Sequence, residues 1–531
     1  MRPVPCAATA AAVVLAFVPF GAVRAADCAG LFDMTLGDAR VVDASTVSPP
    51  FSVTGMDPPR PVTVAAPFCR VQGVIQPTPD SDVRFEVWLP PASAWNGKYQ
   101  GVGNGGFAGS LVYPAMNWGV AAGYAVSGTD TGHTGSPIAS GWSVGHPEKI
   151  ADFGWRAIHE TAVVSKAIID AYYGHPAVHA YFTGCSDGGR EALMEAERFP
   201  ADYDGIVAGA PANKWTWLVA TAVWDEQALA AVPGGLPAEK LPVITEAVLA
   251  ACHGTDGYLA DPQHCRFDPA VLQCHAADAA TCLTAPQVAA LRRIYAGPHN
   301  AAGQQEFPGF EPGSEAGPTG WKLWITGADG TGEGSLQMAF GRGFFGDMVF
   351  AKPVWDFRTM NFDGDMALVA QRTAASLNAT DTDLDRFRAR GGKLIQYHGW
   401  DDSAIPPRSS IEYYSAVAKR VGGIAETQSF YRLFMAPGMQ HCGFGPGPNA
   451  VGGVFGLPTP THDATHDVVA ALAHWVEDGA APSRIIATQY RDNDPAKDIA
   501  AQRPWCPYPQ VARAAGEDKA TGAGGFACVA P

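Results

Sequence analysis

The sequence predicts an α/β fold, a largely parallel sheet flanked by helices and interrupted by a long insertion. Three observations predict it. Apolar runs of strand length alternate with segments of helical apolar spacing, and glycine-rich turns separate them. The rhythm stops near residue 213 and returns near 386, with an irregular segment of about 170 residues between. A chain of 531 residues, 47% hydrophobic and only 17% charged, has the composition of a folded globular protein and argues against disorder. Gly 60 and Pro 43 imply many turns around that regular centre.

Residues 1–25 read as an export signal. Arg2 gives a positive start, Ala7 to Phe20 is apolar, and Val23-Arg24-Ala25 offers small residues for cleavage. The alternative is a membrane anchor, but the apolar run is short for a bilayer and no later segment is long enough. Removal would take Cys6 and leave ten cysteines: Cys28, Cys69, Cys185, Cys252, Cys265, Cys274, Cys282, Cys442, Cys506 and Cys528. An even set in an exported chain implies five disulfides and a periplasmic or secreted destination; counting alone does not fix the pairing. The net charge of −16 would deepen to −18 once Arg2 and Arg24 are gone. A surface this acidic disfavours nucleic acid and anionic membrane as partners.

From residue 26 to about 80 the chain reads as a strand-rich lead-in punctuated by Pro49-Pro50 and Pro58-Pro59. Val83 to Leu89 alternates as a half-buried strand does. Tyr99 to Val102 enters the loop Gly103-Asn104-Gly105-Gly106-Phe107-Ala108-Gly109, and Arg156 to Tyr173 carries helical spacing. His179 to Thr183 is a strand run, Glu191 to Arg198 a helix, and Gly205 to Ala208 a buried strand. After the insertion, Lys393 to Tyr397 and Gln428 to Met435 read as strands, and His466 to Asp478 as a helix. The division predicted is a sheet domain from 26–212 and 386–531, with 213–385 as a separate cap.

Gly184-Cys185-Ser186-Asp187-Gly188 is a G-x-S-x-G sequence between a strand and a helix, the setting of a nucleophile elbow in an α/β-hydrolase sheet. A serine hydroxyl needs a base, and that fold supplies its partners in the chain order Ser, Asp, His. His441, in Pro437-Gly438-Met439-Gln440-His441-Cys442-Gly443 after a late strand, is the base favoured among 14 histidines. Tyr397-His398-Gly399-Trp400-Asp401-Asp402 ends a strand and supplies the acid; its spacing favours Asp402 over Asp401. An oxyanion hole needs two N–H donors. Asp187 should give one, and Gly105 or Gly106 the other. Gly101-Val102-Gly103-Asn104-Gly105-Gly106 resembles a dinucleotide fingerprint only superficially, because no helix or distal acid follows in the required place. If Ser186 meets His441, their neighbours Cys185 and Cys442 are close enough to bridge.

These residues resemble the tannase and feruloyl esterase family, which also includes the mono(2-hydroxyethyl) terephthalate hydrolase. The marks are Gly-Cys-Ser-x-Gly-Gly-Arg at 184–190 and Phe199-Pro200-x-x-Tyr203-Asp204-Gly205-Ile206-Val207-Ala208-Gly209-Ala210-Pro211. Tyr397-His398-Gly399-Trp400-x-Asp402 and Gln440-His441-Cys442 complete them. The resemblance implies an α/β-hydrolase with a lid at 213–385, a triad of Ser186, Asp402 and His441, and Cys185 bonded to Cys442. It also implies the pairs Cys28–Cys69, Cys252–Cys265, Cys274–Cys282 and Cys506–Cys528. The activity implied is that of a serine carboxylic-ester hydrolase on small feruloyl, galloyl or related benzoate esters. A serine peptidase on the same scaffold and a catalytically silent binding protein are the alternatives. The lid aromatics Trp321, Trp324, Phe344 and Phe345 would suit a flat ring, or equally would fill the lid's own core.

No cofactor is expected for the chemistry. The family's lid carries a calcium loop, but the matching stretch between Cys252 and Cys265 has only the carboxylates of Asp256 and Asp261, against the six to eight oxygens calcium takes. Cys252, His253, His264 and Cys265 have the residue types of a zinc site, which a disulfide would abolish. The oligomeric state is not legible.

Overall fold

Short turns force antiparallel neighbours and helical crossovers allow parallel ones, and both regimes occur in this sheet. The computed structural model describes residues 27–55, 60–453, 457–514 and 522–531. The export signal expected at 1–25 lies outside them. The lead-in forms β1 (Thr35–Leu36), β2 (Ala39–Val47), β3 (Phe51–Gly55), β4 (Arg60–Val64), β5 (Phe68–Ile75) and β6 (Val83–Leu89). Next come β7 (Lys98–Val102), β8 (Ala125–Thr129), β9 (His179–Cys185) and β10 (Gly205–Gly209). Beyond the insertion, β11 (Lys393–Gly399) and β12 (Tyr431–Ala436) complete the sheet. Its order is β1-β2-β5-β6-β8-β7-β9-β10-β11-β12, while β3 and β4 pair apart from it.

The sheet is mixed, and parallel where the strand–helix–strand rhythm predicts it. From β8 through β12 every pairing is parallel. The lead-in pairings and β6 with β8 are antiparallel. The lead-in segments are joined by loops too short to hold a crossover helix, so their strands turn back on one another.

Strand alternation then divides the core into two layers. Phe182, Ile206 and Leu394 point to one face, against α2 (Ala157–Tyr173), α3 (Asp187–Arg198) and α8 (Arg408–Val421). Tyr181, Val207 and Ile395 point to the other, against α1 (Tyr113–Ala121) and α9 (Val468–Asp478). Helices on both faces explain why β10 is buried along its whole length.

Several boundaries move for local reasons. Helix α3 starts at Asp187 rather than Glu191, immediately after the elbow. Strand β12 starts at Tyr431 rather than Gln428, since Ile424–Thr427 is a helical turn whose end takes up the first residues of that run. Helix α9 starts at Val468 because the Asp467 carboxylate accepts the N–H groups of Val469 and Ala470.

Residues 210–392 hold no strand beyond isolated bridges. They contribute α4 (Trp215–Ala230), α5 (Leu241–Ala251), α6 (Ala285–Ala296) and α7 (Leu336–Gly343) with shorter turns. Leu229, Ile244, Leu291 and Trp321 build a core within this cap. Trp215, Val219, Phe344 and Phe345 pack against Phe107, Phe153 and Ile405 of the sheet domain.

Five disulfides form: Cys28–Cys69, Cys185–Cys442, Cys252–Cys265, Cys274–Cys282 and Cys506–Cys528. Among the described residues no helix is long and apolar enough to cross a membrane.

Candidate active site

Ser186 stands at the turn between β9 and α3 with φ +66°, a left-handed conformation costly for a residue with a side chain. Glycine neighbours make the turn possible. A Cβ on Gly184 would lie 2.1 Å from the Gly188 carbonyl oxygen, and one on Gly188 would lie 2.8 Å from that of Asn104. The Ser186 N–H donates to Gly209 O at 3.0 Å, which ties the elbow to β10.

Asp402 follows β11, fully buried, and its two oxygens divide their work. Oδ1 accepts the N–H groups of Ala404 (2.8 Å) and Ile405 (3.0 Å). Oδ2 lies 2.8 Å from His441 Nδ1 and 3.2 Å from His398 Nε2. Burial opposes a charge here, but His441 and His398 outweigh it and hold this carboxyl well below the usual carboxylate range. Asp401 has no such partners; burial and the nearby Glu315 push its carboxyl well up. The choice between the adjacent aspartates is therefore geometric.

His441 follows β12, and the Cys185–Cys442 bridge ties its loop to the elbow with Cα atoms 6.0 Å apart. Trp324 and the imidazole meet edge to face, ring centroids 5.0 Å apart. No hydrogen bond joins Ser186 Oγ to His441 in this structure; such catalytic contacts often tighten only with substrate seated.

The donor side is braced from below. Asn104 donates its backbone N–H to Glu191 Oε2 (2.9 Å) and its side-chain amide to Thr129 O (2.8 Å), and it accepts the N–H of Gly188 (3.0 Å). This holds the 103–106 loop against the start of α3. Of Gly105 and Gly106, it is Gly106 that lines a cavity of about 80 Å³ with Ser186 and Asp187. Neither the Asp187 nor the Gly106 N–H has a hydrogen-bond acceptor among the described residues.

Beneath them, Arg190 Nε donates to Asp187 Oδ1 at 2.6 Å and Arg190 also donates to the carbonyls of Phe153 and Gly154. Asp187 Oδ2 and Glu191 Oε1 find no N–H or hydroxyl donor. Burial and the Asp187 charge raise the Glu191 carboxyl, so Glu191 keeps a proton and shares it with Asp187. Folding therefore retains a proton that the unfolded chain releases, and this share of stability is lost as pH rises through the folded value. Glu191→Gln keeps both the acceptor for Asn104 and a donor toward Asp187. It is expected to hold kcat/KM within about threefold at neutral pH and to flatten the alkaline fall, whereas Glu191→Ala should lose about 10- to 100-fold. A pH–rate profile from 6 to 10 for the three proteins checks this; an unchanged alkaline limb in Glu191→Gln would refute it.

The four lid aromatics separate. Trp324 lines the cavity. Trp321 is buried in the cap's core, its indole donating to Ser314, and Phe344 and Phe345 pack between cap and sheet domain. The remaining wall was not anticipated: Trp215, Leu218, Val219 and Ala222 of α4, with Gln337, Phe340, Ala404 and Ile405. The spacing 215, 218, 219, 222 is one face of a helix, a signal present in the sequence but indistinguishable there from an ordinary core face. The place of His398 against Asp402 was also missed.

The Cys252–Cys265 loop does not fit a calcium ion. Asp256 faces Arg503 at 3.8 Å, while Asp261 accepts the Gln263 N–H and lies 2.8 Å from His264 Nδ1. The two carboxylates thus serve separate partners, and the disulfide takes the thiolates zinc would need.

A family model described as tannase and feruloyl esterase matches residues 69–529. The chain belongs to the tannase and feruloyl esterase family. Like its family, it is a carboxylic-ester hydrolase on an α/β-hydrolase fold. An uncharacterized esterase of Xanthomonas campestris pv. campestris is 41% identical, over 95% of this chain and 91% of that protein. The mono(2-hydroxyethyl) terephthalate hydrolase of Piscinibacter sakaiensis is 33% identical, over 87% of this chain and 85% of its own length. Feruloyl esterase B from Aspergillus oryzae superimposes with a TM-score of 0.84 at 27% identity, covering 93% of this chain and 98% of that one. The match accordingly spans the strands of the sheet and the insertion at 210–392 alike.

Proposed function

We propose that this enzyme hydrolyses esters of aromatic acids through an acyl-enzyme on Ser186. Ser186 Oγ attacks the ester carbonyl while His441 takes its proton, and Asp402 holds the imidazole in the Nδ1–H tautomer. The oxyanion forms against the N–H groups of Asp187 and Gly106. His441 then returns the proton to the leaving alcohol, and a water activated the same way releases the acid. One observation carries the reading: Asp402 is bonded to His441, and the Cys185–Cys442 bridge holds that pair beside the elbow serine.

The acyl group is an uncharged aromatic ring. Trp215, Trp324 and Phe340 supply flat apolar walls, and the lining carries no Lys, Arg or His. A free carboxylate on the ring, as in a terephthalate monoester, would be desolvated there without a partner. The expected order of kcat/KM therefore places methyl ferulate and methyl gallate above a terephthalate monoester by at least about tenfold. A terephthalate monoester hydrolysed as fast as either would remove the argument. A peptidase would cleave the anilide of the same acid, and a silent binder would not react with a fluorophosphonate at Ser186. The disulfides and the leader-like start support a site of action outside the cytoplasm, in periplasm or medium.

A further inference from the structure

Asp402 is contacted by two imidazoles, and only one belongs to the triad. The second, His398, sits at the end of β11 with no exposed surface, as do Gln396, Ser410 and Asp402. Its proton can be placed from its neighbours. His398 Nε2 faces two acceptors, Asp402 Oδ2 at 3.2 Å and the Ile405 carbonyl at 3.1 Å, so it must carry hydrogen. On the other side Nδ1 lies 2.7 Å from Ser410 Oγ. Ser410 Oγ already receives the Gln396 amide N–H at 2.5 Å, and the Tyr431 hydroxyl donates to the Gln396 carbonyl oxygen. Among the described residues Nδ1 is the one acceptor within reach of the Ser410 hydrogen, so that hydrogen is directed at Nδ1 and His398 is a neutral Nε2–H tautomer.

We propose that His398 is a positioning residue for ester hydrolysis: locked by the Tyr431–Gln396–Ser410 chain, it holds its Nε2–H against the Ile405 carbonyl and 3.2 Å from Asp402 Oδ2, a fixed polar contact on the acid. The donor has two consequences. It stands beside the three groups hydrogen-bonded to that carboxylate, the N–H groups of Ala404 and Ile405 and His441 Nδ1, and limits the plane in which Oδ2 meets His441. It also draws charge from that oxygen and keeps Asp402 from over-stabilising the His441 imidazolium. The groups in its path that titrate are Asp402, His441 beyond it, and Tyr431 behind Gln396. This inference rests on the reading of Asp402 as the acid of the triad.

The test compares His398→Leu, His398→Gln and Ser410→Ala with the wild type and Asp402→Asn, using methyl ferulate between pH 5 and 9. Loss of the donor in His398→Leu is expected to lower kcat about 10- to 100-fold with KM little changed, and to move the acid limb of kcat/KM to higher pH. Glutamine places an amide N–H near the position of Nε2, so His398→Gln should restore the limb and most of kcat. Ser410→Ala keeps the ring but frees its tautomer, giving a smaller shift in the same direction even if the leucine variant fails to fold. A wild-type acid limb in His398→Leu, or in Ser410→Ala should leucine not fold, overturns the proposal, as does no recovery in a folded His398→Gln. Wild-type kcat in Asp402→Asn would instead overturn the triad reading beneath it.

Discussion

Ser186→Ala is expected to lower kcat by about 10⁶-fold while leaving the fold and KM nearly unchanged. The magnitude follows from what disappears. Without Oγ there is no acyl-enzyme, and the basicity of His441 has no proton to take. What persists is the binding cavity and the Asp187 and Gly106 donors, which still favour attack by water about 10³- to 10⁴-fold over the uncatalysed reaction. The fold should tolerate the change, because Ser186 is held by backbone bonds to Gly209, Gly189, Arg190 and Ala212 rather than by its hydroxyl. Single-turnover hydrolysis of methyl ferulate with both proteins measures the effect. An alanine variant keeping even one per cent of the rate would mean that another nucleophile operates.

The second large effect concerns the bridge beside the triad. Cys185 and Cys442 are immediate neighbours of Ser186 and His441, and their bond spans 257 positions of sequence. The two loops come from different strands, β9 and β12, which do not pair with each other. The disulfide is thus the one covalent tie that crosses between them. Removing both thiols, in Cys185→Ala/Cys442→Ala, should reduce stability by about 4–5 kcal/mol, since a long loop of unfolded chain is no longer closed. Activity should fall further than stability explains, because a displacement of about 1 Å between nucleophile and base costs on the order of 100-fold in rate. Chemical denaturation and kcat measured below the onset of unfolding separate the two contributions. A double variant with wild-type kcat would show that the loops hold their places unaided.

The proposed triad stood out in the sequence because each member sits in a local pattern whose backbone requirement is visible there. Gly184 and Gly188 mark the tight elbow, and the Cys-Ser and His-Cys dipeptides mark the two ends of one bridge. The strand-free insertion was legible as a broken rhythm, and its helical character emerged only in the structure. The antiparallel pairing of the lead-in emerged only in the structure, because alternation along a strand reports burial of a face, not the direction of the neighbour.

The amino-acid order on its own thus fixed the fold class and singled out the three proposed triad residues and the two cysteines next to them, all through local patterns along one chain. Tertiary structure alone decided that Trp324 faces the cavity while Trp321, Phe344 and Phe345 do not, and that Gly106 rather than Gly105 joins its lining. It alone brought His398 against Asp402 with Ser410 behind it. Apolar spacing shows which face of a helix is buried but not what it is buried against, and hydrogen bonds across elements leave no periodic trace in the chain.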